Sequence, residues 1–121
     1  KYMVPRGRGS IFFTGATASK RGGSGYAAFA SAKFGLCALA QSMARELGPK
    51  NIHVAHLIID SGVNTSWVRD RMRAAGTNPD EMAEDTLMNP ASIAKTYWQL
   101  HKQTRDAWTF ELDLRPYAET F

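Results

Sequence analysis

A chain of 121 residues, 44% of them hydrophobic, has the size of one ordinary domain and can build a core. Its apolar runs, such as residues 11–13 and 54–59, fall far short of the roughly 20 residues needed to cross a bilayer, and its first residues carry no signal-type apolar segment. The single cysteine, Cys37, excludes an internal disulfide framework and a thiol zinc cluster and fits a reducing, cytoplasmic compartment, while the net charge of +4 is too dispersed to form a nucleic-acid-binding stripe.

Arg6-Gly7-Arg8-Gly9 is a turn-like entry to a short apolar strand over residues 10–14. A loop rich in glycine and small residues follows to Gly25. Residues 26–47 then form a helix: strong helix formers occur without an internal proline, and positions 29, 30, 33, 36, 37, 40, 43, 44 and 47 recur at helical spacing as one buried stripe, apolar or small except for Lys33. Gly48-Pro49 stops it, the glycine expected as a left-handed cap. Residues 52–59 are nearly continuous in apolar character, which predicts a strand buried on both faces and hence a parallel sheet. A loop over 60–64 leads to a helix at about 65–75, a break at 76–79 and a loosely helical acidic stretch to Asp85. Asn89 caps, and Pro90 opens, a helix over 91–102. Residues 108–114 alternate with period two and predict a third strand, followed by a polar and aromatic tail to Phe121.

Strand, helix, strand, helices, strand is an α/β layered architecture with right-handed crossovers expected. Three parallel strands are too few to cover the middle one, and an open edge beside the first would invite pairing. Residues 1–121 are therefore expected to be part of a larger sheet, either the second half of a longer polypeptide or one piece of an assembly.

The run Gly9 to Ala16, the segment Tyr26-Ala27-Ala28-Phe29-Ala30-Ser31-Ala32-Lys33, the sequence Ala44-Arg45-Glu46-Leu47-Gly48 and the strand 52–59 together resemble the C-terminal half of a short-chain dehydrogenase/reductase. The resemblance covers nearly the whole chain. It implies the second half of a Rossmann-type, doubly wound parallel sheet, three strands with flanking helices, whose N-terminal dinucleotide-binding half would precede Lys1. It also implies an NAD- or NADP-dependent oxidoreductase of small alcohols or carbonyls that forms a homo-oligomer through its long helix. The segment Thr14-Gly15-Ala16-Thr17-Ala18-Ser19-Lys20-Arg21 is not the dinucleotide glycine motif itself, because Ser19 and Arg21 stand where phosphate-approach glycines are needed.

Residue by residue, the resemblance makes Lys33 the lysine that holds the nicotinamide ribose and lowers the pKa of a tyrosine four positions earlier. Phe29 stands at that tyrosine position and cannot transfer a proton, and Ala16 stands at the position of the family serine, thirteen residues before it. A missing general acid costs about 10²–10⁴ in rate. Tyr26 is the candidate substitute, with Thr14, Thr17, Ser19 and Ser24 as further hydroxyls in the loop. Lys33, Val63, Thr65 and Gly15 are the cofactor contacts so implied, although Asp60-Ser61 replaces the usual Pro-Gly and Thr65 reads equally as a helix cap. Trp67 and Met72 fall in the variable substrate lid, or on a helix packed against its own domain.

No metal site is expected. His53 and His56, three apart in a strand, point to opposite faces, so they read as core or interface histidines; Cys37 reads as a small inert hydrophobe. The carboxylates at 80, 81, 84 and 85 read as a solvated acidic turn, and Arg69, Arg71 and Arg73 as charges fanned around a helix. The rival to an enzyme is a catalytically inactive relative that binds dinucleotide or a protein partner.

Overall fold

The computed structural model describes residues 1–119; the last two residues of the expected tail lie outside the described residues. In chain order the elements are α1 (Met3–Arg6), β1 (Gly9–Ala16), α2 (Ala27–Leu47), β2 (Ile52–Ile59), α3 (Ser66–Ala74), α4 (Pro90–His101) and β3 (Glu111–Leu114). The three strands form one parallel sheet in the order β1-β2-β3, with Phe12 beside Ala55 and Leu57 beside Leu112. Among the described residues no helix is long and apolar enough to cross a membrane.

β2 is the centre. All eight of its residues are buried, as its unbroken apolar run predicts, and Ile52, Leu57 and Ile58 are almost wholly enclosed. Burial of each such side chain contributes about 2 kcal/mol. Pleating sends alternate side chains to opposite sides. On one side Leu100 of α4 packs on Ala55 and Leu57 together with Phe12, Tyr97 and Leu112. On the other, α2 lies against β1 and β2, with Lys33 reaching Thr14 and Cys37 reaching Glu111. The β1–β2 and β2–β3 crossovers step the same way across the sheet but on opposite faces. They therefore have opposite hands, and the right-handed rule expected of both holds for one.

Several boundaries differ from expectation for local reasons. Gly48 is right-handed (φ −55°), because the chain continues through a 3₁₀ turn over Gly48–Lys50 that accommodates Pro49; Asn51, at φ 61°, takes the left-handed cap instead. Residues 108–110 precede β3 without joining it as a strand. Gln103 holds them, accepting from the Thr109 amide at 2.8 Å, donating to the Thr109 hydroxyl and taking Trp108 Nε1 on its carbonyl. Residues 80–85 form turns and bends, not a helix. The α2 stripe is less covered than predicted: only Ala30 and Ala40 are buried, the other positions are half-buried, and Phe29 is 47% exposed. A second set of apolar side chains on this helix, Phe34 and Leu39, is also exposed.

Candidate functional site

In parallel α/β sheets ligands gather at the carboxyl ends of the strands. At that edge a cavity of about 410 Å³ opens between β1, β2 and the start of α2, lined in part by Ala16, Thr17, Tyr26, Phe29, Ile59 and Ser61. A larger cavity of about 660 Å³, lined by Ser10, Asn51, His53 and Trp108 among others, lies at the opposite ends of the strands. The smaller one holds the residues that matter chemically, for the sequence-distant Ala16 and Phe29 face one space. Both walls are apolar where a hydroxyl pair is expected.

Lys33 stands one helical turn beyond Phe29 and does not line the cavity. Its Nζ donates to the Thr14 carbonyl at 2.9 Å and sits 5.7 Å from the Phe29 ring centroid. Tyr26 lies just before the first turn of α2 with its side chain 56% exposed, and it lines the cavity. The Thr14 hydroxyl is engaged on the opposite face of the sheet, 2.6 Å from Tyr97 Oη. Thr65 caps α3, its hydroxyl accepting from the Val68 amide at 3.3 Å, and Val63 bridges to Met88. Gly15 is buried beneath the cavity instead of lining it. A Cβ there would stand 2.4 Å from His56 Nε2 and 2.8 Å from Ser19 Oγ, so glycine is required by close approach.

Asp60, which stands where proline is usual, turns out to be a node. It is 7% exposed, accepts a hydrogen bond from the Thr17 hydroxyl, and pairs with Arg115 Nη2 at 3.3 Å. Three segments at the carboxyl ends of the strands are tied through one carboxylate. Asp60→Ala is expected to cost about 1–3 kcal/mol, since Arg115 keeps Asp113 at 3.2 Å; chemical denaturation measures it, and a loss below about 0.5 kcal/mol would refute the tie.

On the α2 side of the sheet His56, wholly buried, donates from Nδ1 to Glu111 Oε2 at 2.8 Å. Lys20 pairs with the other carboxylate oxygen, and the Cys37 thiol donates to Oε2 at 3.6 Å. Cys37 is thus not simply a packed hydrophobe. Burial first, then the Glu111 carboxylate, pushes its thiol above the ordinary value. Burial also pushes Glu111 up, but the hydrogen bonds from Lys20 and His56 outweigh it and hold the carboxyl below its ordinary value. A depressed carboxyl contributes stability in full above its unfolded pKa and loses it as pH falls through the folded value. Acid denaturation followed from about pH 6 to about pH 3 is therefore expected to be less steep in Glu111→Gln than in the parent; identical acid limbs would contradict this.

His53 faces away from His56 as its spacing requires, stacked on Trp108 at 4.9 Å between centroids. The cluster around Glu111 was not legible from the sequence because its partners are separated by up to 91 residues. The acidic turn is exposed, as expected, but it is not free of partners. Asp80 takes both Arg69 and Arg73, which are four apart and so share a helix face, the latter at 3.0 Å. Trp67 is exposed under the Arg71 guanidinium, 5.1 Å from its ring centroid.

A family model described as short chain dehydrogenase matches residues 1–75. No curated protein matches the chain. Among solved structures, a short-chain dehydrogenase from Rhodopseudomonas palustris is 56% identical over 95% of this chain and 42% of its own, with a TM-score of 0.69. An alcohol dehydrogenase from the archaeon Thermococcus sibiricus, complexed with 5-hydroxy-NADP, is 23% identical over 98% of this chain and 46% of its own, TM-score 0.73. An NADPH-bound short chain oxidoreductase from Pseudomonas aeruginosa PAO1, described as containing an atypical catalytic center, is 18% identical over 93% of this chain and 46% of its own, TM-score 0.72. The chain spans less than half the length of each of these proteins.

Proposed function

Since the chain belongs to the short-chain dehydrogenase/reductase family, we propose that it is the C-terminal half of an NAD- or NADP-dependent oxidoreductase acting on a small alcohol or carbonyl through an altered proton relay. One observation carries this reading: Ala16 and Phe29 share a cavity at the carboxyl edge of the sheet, with the Lys33 ammonium one turn away. The cofactor, when bound, supplies or accepts the hydride. The chain offers groups that fit its nicotinamide end. Lys33 presents a cation that now rests on a carbonyl, Val63 presents backbone after β2, Thr65 stands at the helix start behind it, and Gly15 supports the floor.

Two hydroxyls of that cavity are in place to relay a proton where Phe29 and Ala16 cannot. Tyr26 is exposed at the rim, and Thr17 is oriented by Asp60. Tyr26→Phe in the full-length protein tests the first; unchanged turnover would remove Tyr26 from the relay. The exposed apolar side chains Phe34 and Leu39 on α2 support a homo-oligomeric contact there, and the single cysteine supports a cytoplasmic setting.

The deciding experiment titrates the full-length protein with NADH and NADPH by fluorescence and then measures turnover on a panel of small carbonyls. Binding with turnover is expected. Lys33→Ala is expected to weaken cofactor binding about 10- to 100-fold, the worth of one charge-assisted hydrogen bond. Binding without turnover would replace the proposal by an inactive dinucleotide- or partner-binding relative. No binding at all would remove both.

A further inference from the structure

Cys37, His56 and Glu111 come from α2, β2 and β3, and their ligand atoms all lie within 4.8 Å of one another. We propose that these three side chains form a binding site for a divalent transition-metal ion of the zinc class, distinct from the cavity at the strand ends. Thiolate, imidazole and carboxylate make up a donor set suited to that class.

The geometry is close to what such an ion needs. A tetrahedral ion with bonds of about 2.0 Å to nitrogen and oxygen and about 2.3 Å to sulfur holds its donors about 3.3–3.6 Å apart. Cys37 Sγ already lies 3.6 Å from Glu111 Oε2. His56 Nδ1, at 2.8 Å from the same oxygen, has to open by about half an ångström. All three donors stand on helix or strand, not on loops, so little order must be created on binding.

Charge and protons balance. Coordination replaces the Cys37 thiol proton and the Lys20 ammonium, which now neutralises Glu111, by one dication. The thiol proton goes to solvent. The imidazole proton moves from Nδ1 to Nε2, the atom packed against Gly15 beside Ser19 Oγ and without a hydrogen-bond partner. Lys20 is half exposed and can swing into water, and the Glu111 side chain, 24% exposed, leaves room for water in the fourth position. Cys37 is also one turn beyond Lys33, so an ion here clamps the helix that carries Lys33 to β2 and β3.

The test is Cd²⁺ titration of the full-length protein, read by the ultraviolet thiolate-to-metal charge-transfer band, with Zn²⁺ as competitor. One equivalent is expected to bind, to be displaced by Zn²⁺, and to raise the melting temperature. The band is expected to vanish in Cys37→Ala and to need at least about tenfold more Cd²⁺ in Glu111→Gln. Lys20→Ala, a half-exposed position that leaves the core intact, is expected to bind about tenfold more tightly because the competing ammonium is gone. Absence of a band in the folded parent, a band unchanged in Cys37→Ala, or Lys20→Ala binding no tighter than the parent would each overturn the site.

Discussion

Restoring both hydroxyls, by Phe29→Tyr with Ala16→Ser, is expected to raise turnover of the full-length protein by about 10²-fold or more, the usual contribution of a positioned proton donor. The expectation rests on the apolar state of the cavity and on Lys33. The ammonium lies 5.7 Å from the Phe29 centroid and one helical turn along, so a phenol on that ring enters the field of a cation that favours its ionised form. Ala16 faces the same space, where a serine hydroxyl can hold the reacting oxygen beside that phenol. Because the two groups serve one reacting atom, their effects are expected to be non-additive, with Phe29→Tyr alone giving the larger share. Steady-state kinetics of the two single variants and the double variant on one carbonyl measure this. A double variant no faster than the parent would mean that the existing cavity already moves the proton as well as the hydroxyl pair does, and Thr17 and Tyr26 would become the residues to test.

Much of the fold was legible because it is written in short-range pattern. Ile52–Ile59 reads as a doubly buried strand from its own composition, and Asn89-Pro90 opens α4 with Asn89 Oδ1 accepting from the Ala91 amide at 2.8 Å. The family resemblance proposes Ala16, Phe29 and Lys33 as site positions, and Ala16 and Phe29, thirteen residues apart, do line one cavity. What could not be read depends on partners far apart in the chain. Asp60 looked like a missing proline until Arg115, from beyond β3, and Thr17, from beyond β1, met at its carboxylate. Likewise Glu111 reads as one exposed position of an alternating strand; only the sheet register, which pairs it with His56, makes it the centre of a charged cluster. Phe29 belongs to a buried stripe by periodicity, yet its ring is 47% exposed and lines the cavity.

Gly15→Ala is expected to destabilise the protein by about 2–3 kcal/mol, large for a single methyl group, and the reason couples the floor of the site to the cluster behind it. The new carbon would stand 2.4 Å from His56 Nε2, well inside contact distance, and 2.8 Å from Ser19 Oγ. Neither neighbour yields cheaply. His56 is fully buried and anchored to Glu111, while Ser19 Oγ accepts from the Ala16 amide at 3.1 Å and so fixes the turn that carries Thr17 into the cavity. Moving the imidazole breaks a charge-assisted hydrogen bond; moving the serine reshapes the wall that holds Ala16 and Thr17. A double-mutant cycle separates the clash from a general intolerance of this position. In a His56→Ala background the closer clash is gone and only the 2.8 Å approach to Ser19 Oγ remains, so Gly15→Ala is expected to cost about 1–2 kcal/mol less there than in the parent. Chemical denaturation of the four proteins checks it. Equal costs in the two backgrounds would show that His56 is not what demands glycine at 15, and the link between the cavity floor and the Glu111 cluster would fail with it.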